Sequence, residues 1–359
     1  MPIDQIKLTG FRNHGETEMV FAPGINVIWG ENGSGKTSVL EAIHILSIGK
    51  SFKTNRINET VKHQADVSII EAGFKKKKQT EKISFSQSVD SRRQIKINNA
   101  VVKTREIVGK NPAVLLSPEE QKITKGTPGN RRGYFDKLYS TTSKKYFNSL
   151  SIFTRTLKQR NAALKKPEEQ KHFNVWDGLL AESAEIIWEK RAHLNARFKE
   201  CLTRVSNMYN KESVSISLKT ESIKKSKDEI LFELKKREPR DLQSRKTSFG
   251  PHRDSFSFLF NGEPVKTFGS QGEHKISLVL IKLAEYMFIK DEKGQTPILL
   301  LDDIFARLDF ERSDAVLALL EKKSQTIITN TDLVDIEKHG IDLKNPSNKS
   351  FHLERQCSN

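Results

Sequence analysis

Cysteine is nearly missing: the chain of 359 residues holds two, Cys201 and Cys357. They lie far apart, which excludes a disulfide framework and a thiolate metal cluster and fits a reducing cytoplasm. Long hydrophobic runs are also lacking. The most apolar long segment, residues 276–289, is interrupted by Lys282 and Glu285, so it reads as a buried helix rather than a membrane span. The opening residues MPIDQIKLTG have no basic-then-apolar leader pattern, and the expected location is cytoplasmic, with no membrane partner. There is no sustained heptad run, which excludes long coiled-coil arms, and no internal repeat. No nuclease-type metal cluster and no Ser/His/Asp triad can be assembled from the motifs. Acidic residues are in the minority, 45 Asp and Glu against 61 Lys and Arg, for a formal net charge of +16 and a pI near 9.6. That excess points to a polyanionic partner, nucleic acid before membrane.

What is present centres on residues 25–46, INVIWGENGSGKTSVLEAIHIL. Ile25, Val27 and Ile28 read as a buried strand, and Val39, Leu40, Ile43 and Leu46 recur at helical spacing. Between them stands G-x-x-x-x-G-K-T. Strand, loop, helix is the context that separates a phosphate-binding loop from a chance match. Gly30, Gly33 and Gly35 lack Cβ atoms, so backbone N–H groups, with those of Asn32, Ser34 and Ser38 nearby, can curl around phosphate oxygens. The helix start adds its positive end. Lys36 is expected to reach the β- and γ-phosphates of ATP, and the Thr37 hydroxyl to ligate Mg²⁺.

Residues 3–28 read as short strands, and 67–103 as a β-meander with a lysine-rich turn at Lys75–Lys78. The basic loop 49–58 carries Lys53 and Arg56 just after the nucleotide helix, a place for phosphate or DNA contact as well as for plain solvation. From residue 118 to about 249 long helical patterns dominate, notably 175–209. This stretch has 29 Lys and Arg against 17 Asp and Glu, so most of the excess charge sits in it. The expected organisation is an ATPase domain from 1–117 plus 250–359, interrupted by a helical insertion at 118–249.

The second half of an ATP site follows. The segment 298–303, ILLLDD, is a buried strand delivering carboxylates to a sheet edge. Asp302 is placed to hold Mg²⁺ through water, and Asp303 to orient or deprotonate the attacking water. With Lys36 these form the catalytic set. Gly269-Ser270-Gln271-Gly272-Glu273 precedes the 276–289 helix, and Asp309 follows in a Leu-Asp loop. Another apolar strand, 326–328, ends in Thr329-Asn330-Thr331. Phosphate loop, helical insertion, Ser-Gln-Gly helix, acidic strand, Leu-Asp loop and polar strand end come in the order of an ATP-binding-cassette (ABC) head. The fold class is α/β: an ABC-type, SMC-like ATPase head with a phosphate-loop core and a mostly helical second lobe.

The chain resembles the RecF family, SMC-like ATPases of bacterial recombinational repair, over essentially its whole length. The carrying residues are Phe11-Arg12-Asn13, the loop 30–37, Ser51-Phe52-Lys53-Thr54, Ser117-Pro118-Glu119, the segment 126–136 (GTPGNRRGYFD), Gly250-Pro251-His252-Arg253-Asp254, Gly269–Glu273 and Leu300–Asp309. The resemblance implies an ATPase that binds duplex DNA and single/double-strand junctions and forms a homodimer with ATP. It also implies work with RecR and RecO to promote RecA loading at single-strand gaps. By the same resemblance Ser270, Gln271 and Gly272 are the signature segment and Asp309 the Leu-Asp loop. The acid is Asp303 where ABC proteins in general have Glu, and Thr329-Asn330-Thr331 replaces a His; both point to slow hydrolysis, and the resemblance implies a weak, DNA-stimulated ATPase.

Arg12, after the first strand, is a nucleotide contact or a plain salt bridge. Arg131 and Arg132 are DNA-binding candidates or surface charges. His252 and Arg253, in a Gly-Pro turn, are structural hydrogen-bonders or contacts to nucleotide or DNA. Two alternatives accompany the main reading: a nucleotide-stabilised DNA scaffold with negligible hydrolysis, and a P-loop kinase. The kinase would use Lys36 and Thr37 but has no use for Ser270 or Asp309.

Overall fold

The computed structural model describes residues 2–76, 79–166, 173–209, 214–221, 223–303, 324–333 and 338–355. In chain order the first stretch holds β1 (Ile3–Phe11), β2 (His14–Val20), β3 (Ile25–Trp29), α1 (Lys36–Ile48), β4 (Val67–Lys76), β5 (Gln79–Ser88), β6 (Arg93–Ile97), β7 (Ala100–Val102), α2 (Thr104–Ile107) and β8 (Ala113–Leu116). Next come α3 (Lys122–Lys125), α4 (Pro128–Thr142), α5 (Lys144–Ala163), α6 (Phe173–Tyr209), β9 (Ile216–Thr220), α7 (Lys227–Ser244), β10 (Phe256–Phe260), β11 (Glu263–Pro264) and α8 (Val265–Phe268). The chain then runs through α9 (Gln271–Lys293), β12 (Ile298–Asp302), β13 (Thr326–Asn330) and β14 (Lys349–His352). The expected strands and helices are there, with bounds moved by a few residues; Lys77 and Lys78 of the expected lysine-rich turn lie outside the described residues.

Two compact units result, 1–121 with 278–359, and 122–277. The first unit contains a parallel five-stranded sheet in the order β14-β3-β13-β12-β8 and an antiparallel six-stranded sheet in the order β2-β1-β4-β5-β6-β7. The inner strands β3, β12 and β13 carry buried apolar side chains on both faces: Val27, Ile28, Leu300, Ile327 and Ile328 are fully buried. A parallel sheet needs cover on both sides, which is why these strands read as continuous hydrophobic runs. α1 contributes Val39, Leu40, Ile43 and Leu46 to a core shared with Ile6, Leu8, Ile70 and Phe85 of the antiparallel sheet.

Register then positions the chemistry. Asp302 on β12 lies opposite Thr329 on β13, and Thr329 lies opposite Ile28 on β3. The loop leaving Trp29 therefore emerges at the same sheet edge as the carboxylates. Ligands of open parallel sheets bind at the carboxyl ends of the strands, and this edge is that end.

The second unit is mostly helical with a small sheet, β11-β10-β9. The sequence reading placed the return to the first unit at Gly250; the structure divides at 277/278. The reason is pairing and packing. β10 runs antiparallel to β9, and Phe256 and Phe258 stack on Phe135 of α4 at 4.4 and 5.8 Å. The expected ATPase domain resumed at 250, but which strand β10 pairs with is a tertiary matter. The unit's interior also holds a guanidinium. Arg160, fully buried, donates to Asp177 at 2.6 Å and to Asp241 at 2.8 Å.

Candidate nucleotide-binding site

The loop between β3 and α1 has the backbone its glycines permit. Gly30 and Gly35 have φ of 144° and 101°, in the left-handed half of conformational space. A Cβ on Gly30 would come within 2.2 Å of the Leu353 carbonyl oxygen, so no other residue fits there. Ser34 N–H closes the loop onto Glu31 O at 3.2 Å, and Gly35 caps α1. Beside the loop is an open cavity of about 460 Å³, lined in part by Arg12, Asn13, Lys36, Thr37, Lys53 and Asp303; Asn32, Gly33, Gly35 and Ser38 also face it.

Lys36 is 5% exposed, and its ammonium donates to the carbonyls of Gly30 at 2.7 Å and Glu31 at 2.9 Å. Burial lowers its pKa from the ordinary lysine value, and Asp303 and Asp302 pull it back up. Across the sheet edge the Thr37 hydroxyl donates to Asp302 Oδ1 at 2.8 Å, and the Thr329 hydroxyl donates to the same oxygen at 2.8 Å. Asp303 N–H donates to Thr329 Oγ1 at 3.1 Å. One threonine thus ties both acidic residues to β13. Burial raises the Asp302 pKa; hydrogen bonds from Thr37 and Thr329 oppose it, while Asp303 and Glu119 add to it. Asp303 itself adopts φ 49°, and its buried Oδ1 has no hydrogen-bond partner among the described residues.

This donor set fits a hard divalent ion. Thr37 Oγ1 and Asp302 Oδ1 are adjacent oxygens, and Asp303 Oδ1 is a buried acceptor lacking a donor among the described residues. Mg²⁺ keeps several waters and takes only one or two protein ligands, so the lack of any cluster of three His, Cys, Asp or Glu among the described residues is compatible with it.

Other predicted positions divide. Arg12 lines the cavity, but its guanidinium is bidentate on buried Glu41, at 2.9 and 2.6 Å, and donates to Glu59 O at 2.9 Å. Ser51 also donates to Glu41, which joins α1 to the basic loop. Lys53 is exposed at the cavity wall; Arg56 is exposed, with Glu59 at 3.9 Å. Arg131 is not placed as a surface DNA contact: it is 7% exposed and donates to Phe256 O at 2.6 Å and Gly126 O at 3.0 Å. Arg132 is half-buried and donates to Asp254 O at 3.0 Å. Backbone carbonyls in the interior need donors, and two adjacent arginines at the start of α4 supply them.

Ser270 caps α9. Its N–H donates to Glu273 Oε2 at 2.7 Å, and Glu273 N–H donates to Ser270 Oγ at 3.3 Å. Gln271 is exposed and accepts from Lys125 at 2.7 Å, and Gly272 is half-buried. Asp309 lies outside the described residues. In the Gly250–Asp254 turn, Asp254 accepts from the Trp188 indole at 3.0 Å and from Arg191 at 2.5 Å, so this motif is an internal hub of the second unit.

Sequence reasoning missed Asn13, His14 and Glu41 as site residues. Asn13 donates to Gly33 O at 2.9 Å, and the His14 ring meets Gly35 O at 3.1 Å. The first two lie at the junction of two short strands, and no local pattern says what such a junction will touch.

Phosphate loop, opposed acidic strand end and capped Ser-Gln-Gly helix define a phosphate-loop ATPase head of the ABC type. Residues 2–339 match the family described as RecF/RecN/SMC N terminal domain, and the chain belongs to this family, with the RecF proteins. It is 34% identical over 349 residues to the DNA replication and repair protein RecF of Clostridium perfringens (strain SM101 / Type A), covering 94% of this chain and 95% of the relative. It is 35% identical over 357 residues to the RecF of Clostridium acetobutylicum, covering 97% of each. Among solved structures, that of the recombination mediator protein RecF with ATP in the RecFOR pathway superposes with a TM-score of 0.86 at 30% identity, covering 94% of this chain and 95% of that one. An Smc head bound to the C-terminal winged-helix domain of ScpA shares the fold, with a TM-score of 0.52 at 19% identity over 94% and 91%. No helix among the described residues is long and apolar enough to cross a membrane.

Proposed function

We propose that this protein is a DNA-binding, switch-like ATPase of recombinational repair and replication-gap processing. The observation that carries it is the phosphate loop with Lys36 at the same sheet edge as Asp302, which accepts from Thr37 and Thr329 at 2.8 Å each. ATP is the ligand, its phosphates taken by the loop N–H groups, Lys36 and the start of α1. Mg²⁺, when bound at Thr37 and Asp302, would neutralise charge on the β- and γ-oxygens. Lys36 trades its two loop carbonyls for phosphate oxygens. Asp303 orients or deprotonates the attacking water, for which its Oδ1, without a partner among the described residues, is suited.

Ser270 serves the nucleotide of a second copy. The start of α9 attracts anions, as its hold on the Glu273 carboxylate illustrates. A γ-phosphate held by Lys36 of one subunit and by the Ser270 segment of the other makes a two-fold dimer with ATP that ADP does not support. Asp309 is assigned to that seam. DNA is gripped through charge, with Lys53 and Arg56 as contacts, and the sensitivity of the dimer to nucleotide couples ATP to grip. By kinship with RecFOR-pathway proteins, the partners are RecO, RecR and the RecA-loading step, in the cytoplasm.

The test is ATP turnover and sedimentation with no DNA, duplex DNA and gapped DNA. Wild type should dimerise with ATP, not ADP, and turn over slowly, faster with DNA. Lys36→Ala should weaken ATP binding, and Ser270→Arg should keep binding but abolish dimerisation and hydrolysis together. A Ser270→Arg protein that still dimerises on ATP refutes the composite site; turnover blind to DNA refutes the coupling.

A further inference from the structure

The turn between β1 and β2 leans on the phosphate loop through two side chains. Asn13 Nδ2 donates to Gly33 O at 2.9 Å. His14 is 2% exposed; its Nε2 lies 3.1 Å from Gly35 O and its Nδ1 lies 2.9 Å from the Thr17 hydroxyl. A carbonyl can only accept, so Nε2 bears the proton and donates, and Nδ1 accepts from Thr17. Burial lowers the His14 pKa, which favours this neutral tautomer.

We infer that His14 is a positioning residue for nucleotide binding, acting through the Gly35 carbonyl. The peptide joining Gly35 to Lys36 is planar, so fixing its C=O also fixes the direction of the Lys36 N–H. That N–H is the first of α1, at the helix end where phosphate oxygens are bound. The helix alone does not lock the plane. Gly35 O accepts from Ser38 N–H at 2.9 Å and Val39 N–H at 3.3 Å, both from the helix side, and His14 approaches from β2. Asn13 does the same for the Gly33–Ser34 peptide, whose N–H closes the loop onto Glu31 O. The fit leaves no slack. A Cβ on Gly35 would sit 2.5 Å from His14 Nε2 and 2.8 Å from Asn13 Oδ1, so the glycine is required by the turn as well as by the ligand.

The inference rests on the proposed ATP site, and its test separates the two. Affinity for ATP and Mg²⁺ is measured on the full chain by equilibrium titration of a fluorescent ATP analogue, with ATP as competitor. The variants are His14→Phe, His14→Asn, His14→Gln and Lys36→Ala, each checked for folding by thermal unfolding. Loss of one positioned hydrogen bond should weaken binding by about tenfold in His14→Phe. His14→Gln places an amide N–H near the Nε2 position and should recover most of the loss, whereas the shorter His14→Asn should not. Wild-type affinity in His14→Phe, or a Gln variant as weak as Phe, overturns the inference. If His14→Phe does not fold, the Gln and Asn variants decide by the same comparison, and equal affinity for the two overturns it. A wild type that binds no ATP, with Lys36→Ala indistinguishable, sinks the proposed function itself and this inference with it.

Discussion

His252 offers a measurable decision about the Gly250–Asp254 motif. Its Nε2 faces Thr247 O at 2.9 Å, and its buried Nδ1 has no hydrogen-bond partner among the described residues. Burial pushes its pKa down from 6.5 to about 4; the Thr247 carbonyl and Asp241 resist, while Arg253 and Arg132 push the same way. A depressed histidine stays neutral in the folded chain while its unfolded counterpart takes up a proton. Stability from this source is therefore intact above pH 6.5 and is lost as pH falls, until the folded form also protonates near pH 4. Each pKa unit is worth about 1.4 kcal/mol, so the full loss is about 3 kcal/mol, of which about 2 kcal/mol has gone by pH 5. His252→Gln keeps a donor for Thr247 O and cannot titrate. Denaturant unfolding at pH 7.5 and pH 5, followed by tryptophan fluorescence, isolates the effect. Trp188, buried and bonded to Asp254, reports from two residues along the same turn. Carboxylates and His14 titrate in both proteins and cancel in the difference. Wild type should lose about 2 kcal/mol more than His252→Gln over this range. Equal losses would mean that folded His252 takes up a proton as freely as the unfolded one does. That would refute the internal role and return the residue to the nucleotide- or DNA-contact reading.

Other perturbations bear on the site directly. Asp303→Asn keeps the shape but loses the charge, so ATP should still bind while steady-state turnover falls by about a hundredfold; normal turnover would remove Asp303 from the mechanism. Thr329→Val deletes the hydroxyl that joins Asp302 to the Asp303 backbone, and turnover should drop by about tenfold, the worth of one hydrogen bond; a change in ATP affinity alone would count against it. DNA affinity should fall with salt at a logarithmic slope of roughly 0.9 per phosphate neutralised, with little sequence preference. Lys53→Ala should reduce that slope by about one contact, whereas Arg131→Ala should lower the melting temperature, since its guanidinium holds the Phe256 and Gly126 carbonyls. An Arg131→Ala protein of normal stability and reduced salt slope would reverse that assignment.

The phosphate loop, its flanking strand and helix, and the acidic strand end were legible from the chain because each is a local pattern. Three glycines at fixed offsets, an aliphatic run ending in Asp302 and Asp303, and apolar residues at helical spacing carry their meaning within about twenty residues. Local steric and periodicity rules suffice for such elements. Sheet membership was not local. FSFLF looks alike whether it pairs with an ATPase strand or with Ile216–Thr220, and only the completed packing on Phe135 decides. The same holds for charge: Arg131 and Lys53 are equally basic letters, yet one is enclosed among carbonyls and the other stands at the cavity wall. His14, 21 residues from Gly35, and Glu41, 29 from Arg12, entered the site through folding alone. A hydrogen bond needs its two atoms about 3 Å apart. The sequence by itself determined which groups could bind phosphate; the tertiary structure decided which others hold them in place.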